Sequence, residues 1–266
     1  MVARALAAAG CVAADDEAAE LVAAAADADG LATMVARRVT GEPLAWITGS
    51  TVFCGRAVGV RPGVYVPRWQ SESLATTAAG LLPETGTAVD LCTGSGAVAL
   101  VLAAARPSAR VLATEADPVA VACARANGVD VRHGDLDGPL PASLDGTVDV
   151  VSGVVPYVPA GALHLLPRDV VDHEPRSALD GGEDGLVLVR RAVAAGTRLL
   201  APGGWLLLEA GGDQCPVVAD LFTRVGFGMV RILVDGDGDP RAVCGRWDGQ
   251  PGGSGGAAPG PLPAQA

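Results

Sequence analysis

The chain has 266 residues, half of them hydrophobic but only 3% aromatic, and carries a formal net charge of −11. That length accommodates one sizeable α/β domain and a small accessory unit, with a core built mostly from Ala, Val and Leu. All 19 basic residues are arginine and none form a patch that would reverse the acidic field, which argues against direct nucleic-acid binding.

Six cysteines (Cys11, Cys54, Cys92, Cys123, Cys215 and Cys244) are scattered, with no C-x-x-C and no Cys/His metal spacing. They read as single buried thiols in a reducing compartment, with no metal site. No apolar run is long enough to span a membrane, and Asp15, Asp16, Glu17 and Glu20 interrupt the N-terminal stretch early. The expectation is a soluble cytoplasmic protein without a membrane partner.

In chain order, residues 1–43 are alanine-rich and read as a small helical domain. Asp29 is the expected cap of a helix carrying Leu31, Met34 and Val35, and Gly41 and Pro43 end it. Residues 44–72 change character. Trp46, Ile47, Val52, Phe53, Val58 and Val60 are separated by turn signals and read as short strands of a linking hairpin, with a type II turn at Arg61-Pro62-Gly63-Val64. From residue 73 to 247 strand and helix alternate, the mark of a parallel sheet. Strands are expected at 88–91, 110–114, 129–132, 148–152 and 205–209. Helices are expected from Ala97, from Asp117-Pro118 to Asn127, over 185–200 and from Pro216. Strands at 229–234 and 241–245 close the sheet as an antiparallel hairpin. Residues 154–183 form a long loop, and 248–266 read as a disordered tail.

The organising stretch is Val89-Asp-Leu-Cys-Thr-Gly-Ser-Gly-Ala-Val-Ala-Leu100, a buried strand, a glycine turn and a helix start. Gly94 and Gly96 allow torsions and a close approach that a Cβ would obstruct. The helix start offers free N–H groups and a positive dipole end. This suits the carboxylate of S-adenosylmethionine or the pyrophosphate of a dinucleotide, and the motif alone does not choose between them. Glu115, at the end of the next strand, can accept the hydroxyl hydrogens of a ribose. Asp90 can order the turn or meet a ligand ammonium, and Asp135 can reach an adenine amino group. Beyond the fourth strand, Val154-Val155-Pro156-Tyr157 occupies the place where open α/β sheets hold substrates. Glu209 ends the fifth strand and is a further candidate. His173 and Glu174 are adjacent and are not expected to converge, while His133 and His164 read as structural.

With these segments on view, the chain resembles the HemK-type protein-(glutamine-N5) methyltransferases, which modify the Gly-Gly-Gln glutamine of peptide chain release factors. The resemblance rests on Gly41-Glu-Pro-Leu44, Val66-Pro-Arg-Trp-Gln-Ser-Glu72, Asp90 to Gly96, Val155-Pro-Tyr-Val-Pro159, Glu174 to Leu186, Gly203 to Glu209, and Gln214. It implies a class I S-adenosylmethionine-dependent methyltransferase fold: a Rossmann-like, mostly parallel seven-stranded sheet with an antiparallel C-terminal hairpin, plus a helical N-terminal domain. It also implies S-adenosyl-L-methionine as cofactor, held by Asp90, Cys92, Thr93, Gly94, Gly96 and Glu115 with Asp135 near the adenine. Val154, Val155, Pro156 and Tyr157 stand in the place of the family's catalytic N-P-P-Y, with Val154 and Val155 where the family has Asn and Pro. The partner implied is a release factor. The alternatives are a small-molecule methyl acceptor that needs no asparagine and a non-catalytic cofactor-binding protein.

Overall fold

The computed structural model describes residues 1–249. The tail expected at 248–266 therefore lies, apart from its first two residues, outside the described part. Three helices open the chain: α1 (Val2–Ala8), α2 (Ala14–Ala24) and α3 (Ala28–Val39). Leu6 and Leu21 are fully buried between them. Arg38 binds Glu17 through two nitrogens, at 2.6 and 3.1 Å, and so ties α3 to α2. The cap of α3 is Asp27, not Asp29: the Asp27 carboxylate accepts the Gly30 N–H at 2.7 Å. Asp29 sits inside the first turn, where its charge still faces the positive end of the helix dipole.

Trp46 and Ile47 do not form a strand. They belong to a short helix, α4 (Leu44–Thr48), which starts after Pro43 and stops at Gly49 in a left-handed conformation. Tertiary burial overrides their strand propensity. The Trp46 indole donates to the Val64 carbonyl at 2.9 Å, and Ile47 packs with Leu6 and Leu21. The antiparallel pair β1 (Ser50–Phe53) and β2 (Arg56–Gly59) follows. Next comes the Arg61–Val64 turn, closed by a 3.1 Å hydrogen bond with Gly63 at φ +85°.

The remaining elements are α5 (Glu72–Leu81), β3 (Thr87–Leu91), α6 (Ala97–Ala105), β4 (Arg110–Glu115), α7 (Pro118–Ala126), β5 (Val131–His133), β6 (Val148–Gly153), α8 (Arg168–His173), α9 (Val187–Leu199), β7 (Leu200–Glu209), α10 (Cys215–Val225), β8 (Phe227–Val234) and β9 (Pro240–Trp247). Seven strands make one sheet in the order β5-β4-β3-β6-β7-β9-β8. The first five are parallel, and β9 enters antiparallel between β7 and β8. The order reverses between β3 and β6, the switch point where an open α/β sheet forms its crevice. Two apolar clusters cover the sheet: Leu91, Val151, Leu206 and Phe222 belong to one, Leu74, Leu102, Val150 and Leu207 to the other.

Two local differences from the sequence expectation matter. β5 is shorter and later than 129–132, because Gly128 turns the chain with φ +86° and Val129 is spent contacting the turn after β3. The long loop after β6 is also not bare. It contains α8, two 3-10 segments and a bridge between Val158 and Asp180. Among the described residues no helix is long and apolar enough to cross a membrane.

Gly96 caps α6 at φ +91°, and a Cβ there would lie 2.6 Å from the Val129 methyl. Gly96→Ala therefore combines left-handed strain with overpacking, and about 2–4 kcal/mol of stability should be lost, seen as a lower denaturant midpoint with an unchanged m-value.

Candidate active site

The turn leaving β3 has three left-handed residues within five: Cys92 at φ +53°, Gly94 at φ +58° and Gly96 at φ +91°. At Cys92 this costs about 1–2 kcal/mol that a glycine would avoid. The turn is anchored by Thr93 N–H donating to the Thr114 carbonyl at 3.0 Å. Gly94 forms cavity wall: a Cβ there would meet nothing within 4 Å. Gly96 does not line the cavity. It lets α6 and the turn pack against Val129 and Ala124.

Asp90 is 1% exposed. Its two oxygens accept the Ser152 hydroxyl at 2.7 Å and the Thr93 hydroxyl at 2.5 Å, which joins β3, β6 and the turn. Burial pushes its carboxyl up to about 6, against the pull of those two hydrogen bonds. The Glu115 carboxylate accepts Gly94 N–H and Asp117 N–H, each at 2.9 Å. An ionised carboxylate has roughly four lone-pair sites, so about two remain for ligand hydroxyls. Asp135 is exposed and paired with Arg191 at 2.6 Å.

Asp90, Cys92, Thr93, Gly94, Glu115, Asp135, Val154 and Pro156 all line one cavity. Asp117 adds a fourth carboxylate, and no Arg or His belongs to the wall among the described residues. Phe53, Val98 and Leu188 supply apolar surface. This wall is hostile to a pyrophosphate and suits a ligand that carries positive charge and ribose hydroxyls. The residues present thus fit S-adenosyl-L-methionine and disfavour a dinucleotide.

A second cavity lies beside the first, and Tyr65, Val154, Pro156 and Ala178 line both. Val155, Tyr157 and Glu209 line only the second. The segment from Val154 to Tyr157 is held from behind. Gln214 donates to the Tyr157 carbonyl at 2.9 Å. Gly185 packs so closely that a Cβ would lie 2.2 Å from the same oxygen. The Tyr157 hydroxyl donates to Glu209 at 3.0 Å. Burial raises both Tyr157 and Glu209 from their ordinary values, while the Ser71 and Tyr157 hydroxyls oppose the shift at Glu209.

His173 and Glu174 diverge. The His173 ring meets the edge of Trp46, with centroids 6.4 Å apart. Glu174 pairs with Arg68, whose guanidinium also lies over the Tyr65 ring, 5.3 Å from its centroid. Burial pushes Glu174 up to about 7 in spite of the Arg68 charge. His133 touches the Ala116 carbonyl at the surface, and His164 is exposed. Sequence reasoning gave no role to Tyr65 and Arg68, which lie in the linker, although Arg68 belongs to the Val66 to Glu72 segment that carries the resemblance. One signal was available: the chain has just two tyrosines, Tyr65 and Tyr157, and both line the second cavity.

Sheet order, switch point and acidic cavity together define a class I methyltransferase, and S-adenosyl-L-methionine is its cofactor. The solved T. thermophilus 16S rRNA N2 G1207 methyltransferase, in complex with AdoMet and guanosine, shares this fold. Its TM-score is 0.50 at 20% identity, over 81% of this chain and 46% of that one. No family model matches the chain. Among curated relatives, the release factor glutamine methyltransferase of Geobacter sulfurreducens is 38% identical over 218 residues, covering 80% of this chain and 76% of the relative. The chain belongs to the release factor glutamine methyltransferase family. A 4-amino-L-phenylalanine/4-methylamino-L-phenylalanine methyltransferase of Streptomyces pristinaespiralis is also similar, 40% identical over 203 residues, 72% of this chain and 70% of that one.

Protonation of Asp90 removes a negative charge from the cofactor cavity. S-adenosyl-L-methionine should therefore bind more weakly as pH falls through about 6, and Asp90→Asn should lower its affinity about 10-fold near neutral pH and flatten that dependence, as read by calorimetric titration.

Proposed function

We propose that the chain methylates a nitrogen held where the two cavities adjoin, with Asp90, Cys92, Thr93, Gly94, Glu115 and Asp135 holding the cofactor. In this reading Val154, Val155, Pro156 and Tyr157 face the acceptor, and Gly96 acts indirectly by seating the turn. The observation that carries it is the shared wall of Tyr65, Val154, Pro156 and Ala178, at the carboxyl ends of the central strands. When bound, S-adenosyl-L-methionine supplies a sulfonium methyl open to attack by a nitrogen lone pair. The chain's own task is to aim that nitrogen and accept its N–H groups as positive charge develops.

The family points to a release factor as partner and its Gly-Gly-Gln glutamine as acceptor. An amide nitrogen is a poor nucleophile, because its lone pair is delocalised into the carbonyl. Val155 supplies a backbone carbonyl whatever its side chain. Val154 offers no side-chain acceptor, and an unmade hydrogen bond at a buried polar group costs about 1–3 kcal/mol.

That same valine favours a second reading, in which the acceptor is the amine of a small molecule. An amine has no carbonyl to take up its lone pair and needs no asparagine to orient a carboxamide. The S. pristinaespiralis relative, named for an amino-phenylalanine, supports this reading.

Mass spectrometry of a release factor incubated with S-adenosyl-L-methionine and the protein separates the two. Under the first reading the glutamine gains a methyl group and Val154→Asn raises the rate about 10- to 100-fold. Under the second the unmodified protein leaves the release factor untouched, and only the variant methylates it.

A further inference from the structure

Glu209 stands beside residue 154 at the mouth of the acceptor cavity. Gly153 of β6 pairs with Leu208 of β7, so Val154 and Glu209 are the next residues on two parallel strands that end at the same level. The Glu209 carboxylate lines the cavity, yet the residue is only 2% exposed. One oxygen accepts the Tyr157 hydroxyl, and the other, Oε2, makes no hydrogen bond of good geometry, although the Ser71 hydroxyl is near enough to pull against the upward shift of the carboxyl.

Cations near it are already engaged. Arg241 is bound to Asp235 at 2.6 Å and to Asp239 at 3.1 Å. Arg68 is bound to Glu174 and stacked over Tyr65. Among the described residues no ion pair includes Glu209. Arg241 acts on Glu209 only at a distance, and a buried carboxylate with an unsatisfied oxygen and no ion-pair partner is costly unless something brings N–H groups or positive charge to it. Besides Arg68, Gln70, Asp169 and Arg241, the cavity wall is apolar and aromatic, with Tyr65, Trp69, Val155, Leu166 and Leu179.

We propose that Glu209 binds the acceptor nitrogen, and that this makes the cavity selective for an amine on a flat apolar body over a carboxamide. The proposal rests on the second reading above and gives it a residue. Val154 removes the neutral acceptor that a carboxamide would use. The carboxylate one strand away holds a charged amine and can take its proton, which frees the lone pair for attack on the sulfonium methyl. A role confined to holding Tyr157 would not discriminate between the two ligand classes.

Benzylamine and benzamide, equal in ring and reach, are titrated by calorimetry into the full chain saturated with S-adenosylhomocysteine. Benzylamine should bind about 10- to 100-fold more tightly, the range expected for a charge-assisted hydrogen bond. Glu209→Gln keeps an oxygen for the Tyr157 hydroxyl and removes the charge. It should abolish that preference by weakening benzylamine about 10-fold or more, with benzamide and S-adenosylhomocysteine bound as before. Equal affinities in the unmodified protein, no binding of either probe, or unchanged benzylamine binding in Glu209→Gln would each overturn the proposal. The comparison within the unmodified protein stands even if the variant does not fold. Failure of S-adenosylhomocysteine to bind would instead overturn the cofactor assignment. Methylation of a release factor by the unmodified protein would remove the second reading itself.

Discussion

The parallel register of β3, β6 and β7 is the constraint on which the rest of the structure depends. Leu91 pairs with Gly153, and Gly153 with Leu208, so three strands end together at one edge of the sheet. Asp90, Val154 and Glu209 come from parts of the chain separated by more than fifty residues and meet there for that reason alone. A one-residue slip would turn each side chain to the opposite face and bury the wrong set. The register is reinforced inside the site: the Asp90 carboxylate bonds Ser152 across the β3–β6 pair and Thr93 within the turn. The same contacts that hold the strands level also set the electrostatics of the cavity.

The two cavities differ in how they treat charge. Carboxylates in the first are wrapped in donors: Asp90 by two hydroxyls, Glu115 by two backbone amides, Asp117 by the start of α7. They remain a negative surround of spare acceptor capacity, which suits a cationic ligand with hydroxyls. The second has a mostly apolar and aromatic wall with Glu209 and Arg68 at its edge. Its floor, from Val154 to Tyr157, is fixed by contacts from far along the chain. Gln214 and Gly185 press on the Tyr157 carbonyl, and the Arg68–Glu174 pair closes the side. This gives a physical reason for segments that otherwise look unconnected. Gly185 and Gln214 meet the Tyr157 carbonyl, and Glu174 holds Arg68 in the wall of the second cavity.

Much of the architecture was legible because it depends on local rules. Glycines and an Asp-Pro pair punctuate the helices, continuous apolar runs mark the buried strands, and the Gly94–Gly96 turn marks the switch point. Errors fell where tertiary contacts outweigh propensity. Trp46 and Ile47 look like strand residues but close a helical turn, since their partners are Val64, Leu6 and Leu21. Asp27 and Asp29 are both plausible caps, and backbone geometry chose the first.

The site divides in the same way. The acidic residues and the turn that line the cofactor cavity were named from sequence, because each sits at a strand end with a recognisable spacing. Gly96 was named with them, but its role is packing, as only the nearby Val129 reveals. By itself the sequence determined the sheet, the glycine turn, the family and the missing asparagine at residue 154, all of which depend on residue type and order. Only the tertiary structure decided that Tyr65 and Arg68 line the second cavity, that among the described residues no Arg or His enters the wall of the first, and that Glu209 is buried in the second with Oε2 unsatisfied. Those facts depend on distances between segments remote in the chain, which residue order does not encode locally.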